Sequence, residues 1–225
     1  MIARRLDPSA PPNINVALFA HRSSIGGHVG VVYRAADSAG LRCLHQAWHC
    51  DSRDEALALG DAPSVWVQPG LDAYEQAALR AYAVRVAAAL PAGGLPYGFP
   101  PGPAGFGPDG SVDLGESVGL TCSTFVTRLF DAAKVPLLQE ATWASNRTAE
   151  RVQEDTAVQE HLVAWLARGH APDAARQAER LKSSIGSPRI RAEEVAAASS
   201  FTNRPVDFDT VEPAGRELLD HLGLK

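Results

Sequence analysis

Hydrophobic and polar positions alternate in the first third of the chain and repeat at helical spacing through most of the rest. Asn15–Phe19 (NVALF) reads as a short strand. His28–Tyr33 (HVGVVY) is the clearest strand, with Val29, Val31 and Tyr33 pointing one way and His28, Gly30 and Val32 the other. Both faces are largely apolar, which predicts a central strand covered on both sides. Leu41–Trp48 (LRCLHQAW) reads as its hairpin return across a turn at Asp37–Gly40, and Val65–Gln68 as a fourth strand. Arg22–Gly27, with its Ser-Ser and Gly-Gly pairs, is a turn-rich connection.

Helical patterns come next. Asp72 is placed to cap a helix running to about Leu90, with an apolar stripe of Tyr74, Ala77, Ala78, Ala81, Val84 and Ala88. Pro91, Gly93 and Gly94 stop it. Gly and Pro crowd the stretch from Pro91 to Gly119, which predicts a long loop and, from its place beside Cys122, a substrate-covering flap. A second helix opens at Cys122, capped by Thr121, and runs to about Ala133; Cys122, Phe125, Val126, Leu129 and Ala133 share one face. Further helices are expected over Thr148–Arg168, Pro172–Lys182, Arg191–Ser199 and Pro213–Leu222. No internal repeat is visible. The expected fold class is α+β: a small antiparallel sheet packed against the Asp72 and Cys122 helices. Residues 1–143 form that domain, and residues 144–225 a helical C-terminal extension.

Composition narrows the function. The chain has 225 residues, 45% of them hydrophobic and 21% charged, so it is neither disordered nor too short for a sizeable core. Lys plus Arg number 21 against 26 Asp plus Glu, a net charge of -5, and there is no basic block. That argues against nucleic acid and against an anionic membrane surface as partners. No apolar run approaches the ~18–20 residues that span a bilayer. Met1–Pro12 lacks an apolar signal core, so a cytoplasmic location is expected. Three cysteines fit a reducing compartment. Cys43 and Cys50, if on one strand, would stand ~23 Å apart, beyond disulfide reach.

Three residues stand where chemistry could use them. Cys122 opens a helix directly after the Gly-rich loop, where exposed N–H groups and the helix dipole favour thiolate and could hold a developing oxyanion. The bland alternative is a small buried hydrophobe on an apolar stripe. His28 heads the central strand beside Gly30 and suits a base for a thiol; a hydrogen-bonded structural histidine is its alternative. His45, inside the return strand, could orient His28 through its second ring nitrogen. His49 competes for that role, but a polar side chain on a half-exposed strand is the favoured reading there. Cys43, His45, His49 and Cys50 are also four zinc-ligand types within eight residues, although their spacing matches no common zinc pattern.

Taken in order, HVGVVY, LHQA, a helix, PYGF and a helix opening TCSTFV resemble the circularly permuted branch of the NlpC-type, papain-like cysteine peptidases. Lecithin:retinol acyltransferase-like proteins share the order with His before Cys. The resemblance spans roughly Val16 to Val135, with a gap around Ser52–Pro69. It implies Cys122 as nucleophile, His28 as general base and His45 as the orienting residue. Tyr97, Thr121 and Ser123 fall on the substrate side. Many cell-wall-degrading members carry Asp before the Cys to bind a free amine; Thr121 stands there in this chain, so the resemblance does not extend to that specificity. The implied activity is cysteine-dependent hydrolysis of an amide through a thioacyl intermediate, on a peptide-like or acyl substrate, with no metal or organic cofactor. Two alternatives stand beside it. One is an acyltransferase or thioesterase with the same groups, and the other an interaction module whose helical third is the working part.

Overall fold

The alternation in His28–Tyr33 becomes the long central strand of a sheet. The computed structural model describes residues 3–4, 14–20, 27–35, 40–57, 64–99, 102–115, 118–169, 171 and 173–223. Most of Met1–Pro12, and most of the turns expected at Arg22–Gly27 and Asp37–Gly40, lie outside the described residues. The strands are β1 (Ala3–Arg4), β2 (Ile14–Ala20), β3 (Gly27–Arg34), β4 (Leu41–Trp48), β5 (Asp51–Ala56) and β6 (Ser64–Val67). They pair in the order β1-β6-β2-β3-β4-β5, every pair antiparallel. A separate two-stranded ribbon joins β7 (Gly105–Phe106) to β8 (Val112–Asp113). The helices are α1 (Ala73–Ala89), α2 (Cys122–Ala132), α3 (Ala141–Ser145), α4 (Ala149–Ala167), α5 (Ala174–Lys182), α6 (Ala192–Ser199) and α7 (Phe208–Leu222). The fold is α+β.

One face of the sheet carries Val16, Val29, Val31, Tyr33, Leu44, Val65 and Val67 into the main core, where α1, α2 and α6 cover it. The opposite face is thinner: Val32, Leu41, Cys43 and Trp66 form a small cluster. In α2 the predicted face is the buried one, Cys122, Phe125, Val126 and Leu129 all lying in the main core.

Three expectations change. The buried side of α1 is Leu79, Ala83 and Val86, while Tyr74 is 83% exposed and Val84 40% exposed. An alanine-rich helix is weakly apolar all round, so its two bulkiest buried aliphatic side chains, not the alanine spacing, decide which side faces the core. α7 starts at Phe208, capped by the Asp207 side chain, and Pro213 lies inside it. The boundary at 143/144 does not separate two cores. Trp143, Val195, Ala196, Ala197, Ala198, Val211 and Leu218 share one core with the sheet, and every residue of α6 is buried. Small alanines let α6 lie close on β2 and β3.

A buried ionic network fixes this second half. Arg147 pairs with Asp155 and, at 3.0 Å, with Glu194. Arg191 meets Asp155 and Glu154, each at 2.9 Å, and Arg151 meets Glu212 at 2.8 Å. Trp143 donates its indole N–H to Glu194 at 2.7 Å. These bonds tie α3, α4, α6 and α7 together.

Candidate active site

Cys122 is the first residue of α2, and its position rests on a reciprocal cap. The Thr124 N–H donates to Thr121 Oγ1 at 3.1 Å, and the Thr121 N–H donates to Thr124 Oγ1 at 2.8 Å. The Thr121 hydroxyl is therefore spent on the helix end. The Phe125 N–H already bonds the Thr121 carbonyl, whereas the N–H groups of Cys122 and Ser123 have no carbonyl in their own helix. Ser123 is buried, its hydroxyl 3.9 Å from the Cys122 sulfur.

The His28 ring, at the start of β3, and the Val29 N–H both act on the Cys122 sulfur through hydrogen bonding that favours its thiolate. Burial alone pushes this thiol up. The His28 charge and hydrogen bond, the Val29 N–H and the Arg189 charge outweigh it and bring the pKa down to about 7. The other cysteines go the opposite way. Burial pushes Cys43 up to about 12, with Glu55 and Asp54 adding to it, and burial and then Asp173 raise Cys50.

Behind His28 stands a chain of two further groups. His28 Nε2 is 2.6 Å from His45 Nδ1, the rings edge to face, and His45 Nε2 is 3.2 Å from Glu55 Oε1. The chemistry of the partners assigns the protons. A carboxylate only accepts, so His45 carries its proton on Nε2. Burial, and then the His28 charge, push the His45 pKa well below its usual value, so the ring is neutral and Nδ1 is an acceptor. His28 then donates from Nε2, which leaves Nδ1 for the thiol proton. The pairing of Val31 with Leu44 puts Gly30 opposite His45, and the missing side chain is what lets the rings meet. A Cβ there would stand 2.8 Å from the Cys43 sulfur and 3.1 Å from the His45 Cβ.

Glu55 is not legible in the sequence. It lies on β5, a polar strand (DSRDEA) with no apolar face to announce it. Its register opposite Cys43 sets it diagonal to His45 on the same side of the sheet.

The segment that carries Tyr97 runs beside the chain entering Cys122, where the Leu120 N–H donates to the Pro96 carbonyl at 3.0 Å, and it is anchored and not a free flap. The Cys50 N–H donates to the Leu95 carbonyl at 2.8 Å, as does Gln46 Nε2 at 2.8 Å. The Tyr97 N–H donates to His49 Nδ1 at 3.2 Å, and Gln177 Nε2 on α5 bridges the carbonyls of Tyr97 and Val118, both at 2.6 Å. His49 is thus buried and holds this segment, in place of the half-exposed position expected of it. Gly98 and Gly119 meet backbone to backbone, and Gly119 has a φ of +150°, so the chain entering Cys122 lies directly on the Tyr97 segment. Tyr97 packs tilted against Trp48 at 4.6 Å and edge to face against Phe99 at 6.0 Å, in an apolar cluster completed by α4 and α5. Helices α4 and α5 therefore back the Tyr97 segment, on which the chain entering Cys122 lies.

Among the described residues, no three His, Cys, Asp or Glu side chains are grouped to hold a metal ion, so Cys43, His45, His49 and Cys50 do not come together. Nor is any described helix long and apolar enough to cross a membrane. The chain matches no protein-family model, no curated protein and no solved structure.

Proposed function

We propose that the protein is a cysteine hydrolase acting on an amide or ester carbonyl, with Cys122 as nucleophile, His28 as general base and acid, and His45 and Glu55 as positioning residues. The observation that carries this reading is the continuous line Cys122–His28–His45–Glu55. It is the arrangement a thiol nucleophile needs: a base in contact, and the base held in one tautomer. The order of elements also supports the likeness to permuted NlpC-type peptidases.

His28 Nδ1 takes the Cys122 proton, and the sulfur adds to the carbonyl carbon. The N–H groups of Cys122 and Ser123, which have no carbonyl in their own helix, are suited to receive the developing oxyanion. Collapse expels the leaving amine or alkoxide, which takes the proton from His28. Water then gives a proton back to His28 and adds to the thioester, and the acid and the Cys122 thiol are released. These steps call on no metal or organic cofactor.

Limited carbamidomethylation with iodoacetamide at pH 7, followed by peptide mass mapping, tests the reading. Cys122 is expected to be modified first, with Cys43 and Cys50 intact. Preferential modification of Cys50, or none at Cys122, would overturn it. For Glu55, the Ala variant is expected to lose up to about tenfold in Cys122 alkylation rate. Glu55→Gln keeps an oxygen acceptor for His45 and should recover much of that rate. Equal rates in all three proteins would remove Glu55 from the chain.

A further inference from the structure

We infer that Gln177 is a positioning residue for Cys122: its side-chain amide clamps the chain entering the nucleophile onto the Tyr97 segment, so the helical third of the protein takes part in setting the site. This rests on the hydrolase reading and adds to it the element that holds the nucleophile in place.

Cys122 stands on α2 and His28 on β3, so their meeting depends on how the start of α2 lies against the sheet. Two stretches of backbone decide that. The first, residues 95–99, is tied to the end of β4 and the turn after it: Gln46 and the Cys50 N–H donate to the Leu95 carbonyl, and His49 accepts from the Tyr97 N–H. The second, residues 118–121, leads straight into Cys122. The two stretches lie against each other. The Leu120 N–H donates to the Pro96 carbonyl at 3.0 Å, and a side chain on either Gly98 or Gly119 would collide with the backbone of the other stretch.

Gln177 closes this seam from the side of α5. Its Nε2 is 2.6 Å from the Tyr97 carbonyl on one stretch and 2.6 Å from the Val118 carbonyl on the other. A primary amide nitrogen carries two N–H groups, and here each has its own carbonyl. Gln177 is 3% exposed, and Ala178 and Leu181, on the same side of α5, share an apolar cluster with Tyr97 and Phe99. The clamp is therefore seated in packed surroundings. Methionine would fill the same space and donate nothing, and asparagine would keep both N–H groups one methylene too short. Either change leaves buried carbonyls without their donor, and the stretch entering Cys122 is then free to part from the Tyr97 segment.

The pH profile of Cys122 alkylation by iodoacetamide, measured in the full chain, reads the meeting of sulfur and His28 and not stability as such. In Gln177→Met its midpoint is expected to rise by up to about one pH unit, which slows alkylation at pH 7 about three- to fivefold. Gln177→Asn should shift the same way by less, and it takes the place of the Met variant if that protein does not fold. Leu218→Ala is the control. Leu218 is buried on α7, whose main neighbours are α6 and β6, so this variant should lose stability to urea and keep the parent profile. A folded Gln177→Met protein with the parent profile, or a Leu218→Ala protein shifted as far as Gln177→Met, would overturn the clamp and leave the hydrolase reading standing. If the unaltered protein fails to react first at Cys122, both fall together.

Discussion

Replacing His28 by alanine is expected to silence the Cys122 thiol at neutral pH. With its pKa at about 7, roughly half of this sulfur is thiolate at pH 7. The His28 charge and hydrogen bond are the largest of the influences lowering it, and they act against burial. Once they are removed, burial prevails, and the thiol should titrate above the free-cysteine value of ~8.5. The thiolate fraction at pH 7 then drops to about 3% or less, so carbamidomethylation should slow by about fifteenfold or more. The direction of the pH profile has the same origin. In the parent the rate climbs through about pH 7, and in His28→Ala the climb moves to alkaline pH. On the hydrolase reading, turnover should fall further still, because the variant also lacks the proposed acid for the leaving atom, a contribution typically worth ~10²–10⁴. Stopped-time alkylation across pH 5 to 10 measures the first effect. A variant profile that rises at the same pH as the parent would show that His28 does not govern the sulfur.

Arg147→Met should produce the largest loss of stability, about 3–5 kcal/mol, because it leaves the buried Glu194 carboxylate without a guanidinium and takes one of two from Asp155, which keeps Arg191. The side chain of Arg147 is 2% exposed, and its partners Asp155 and Glu194 are exposed by 3% and 2%. Burial raises the Glu194 carboxyl, and Arg147 is the chief influence opposing that rise. Without the guanidinium, Glu194 should hold its proton to higher pH than in the unfolded chain. A carboxyl whose folded-state pKa is raised favours the folded state at low pH and loses that contribution as pH climbs. The variant should therefore be closer to the parent at pH 5 than at pH 8, as read by urea unfolding. A loss below about 1 kcal/mol at both values would mean that the carboxylates find other partners.

The legible part of this sequence is local. Asp72 and Thr121 announce their helices by capping, and each side chain accepts the expected backbone N–H. HVGVVY announces a central strand because both of its faces are apolar. The alanines of α1 give no such direction, and the proline in α7 conceals a start five residues earlier. The candidate site divides in the same manner. Cys122 and His28 sit at element ends, where sequence alone suggests chemistry. Glu55 gains its place beside His45 only from strand register, and it leaves no mark on its own segment. His49 escapes a strand-based reading because a turn, and not a continuing strand, places its ring inside.

β5 closes the described sheet on one side, so its outer backbone groups have no strand beyond them. Exposed rims of this kind invite self-association. Asp51, Arg53, Asp54 and Glu55 crowd this rim with charge, and charge there discourages a second molecule from docking strand to strand. The carboxylate at the end of the histidine chain is thus also part of the molecule's protection against aggregation. On the hydrolase reading, selection for solubility and selection for turnover would act on the same six-residue segment.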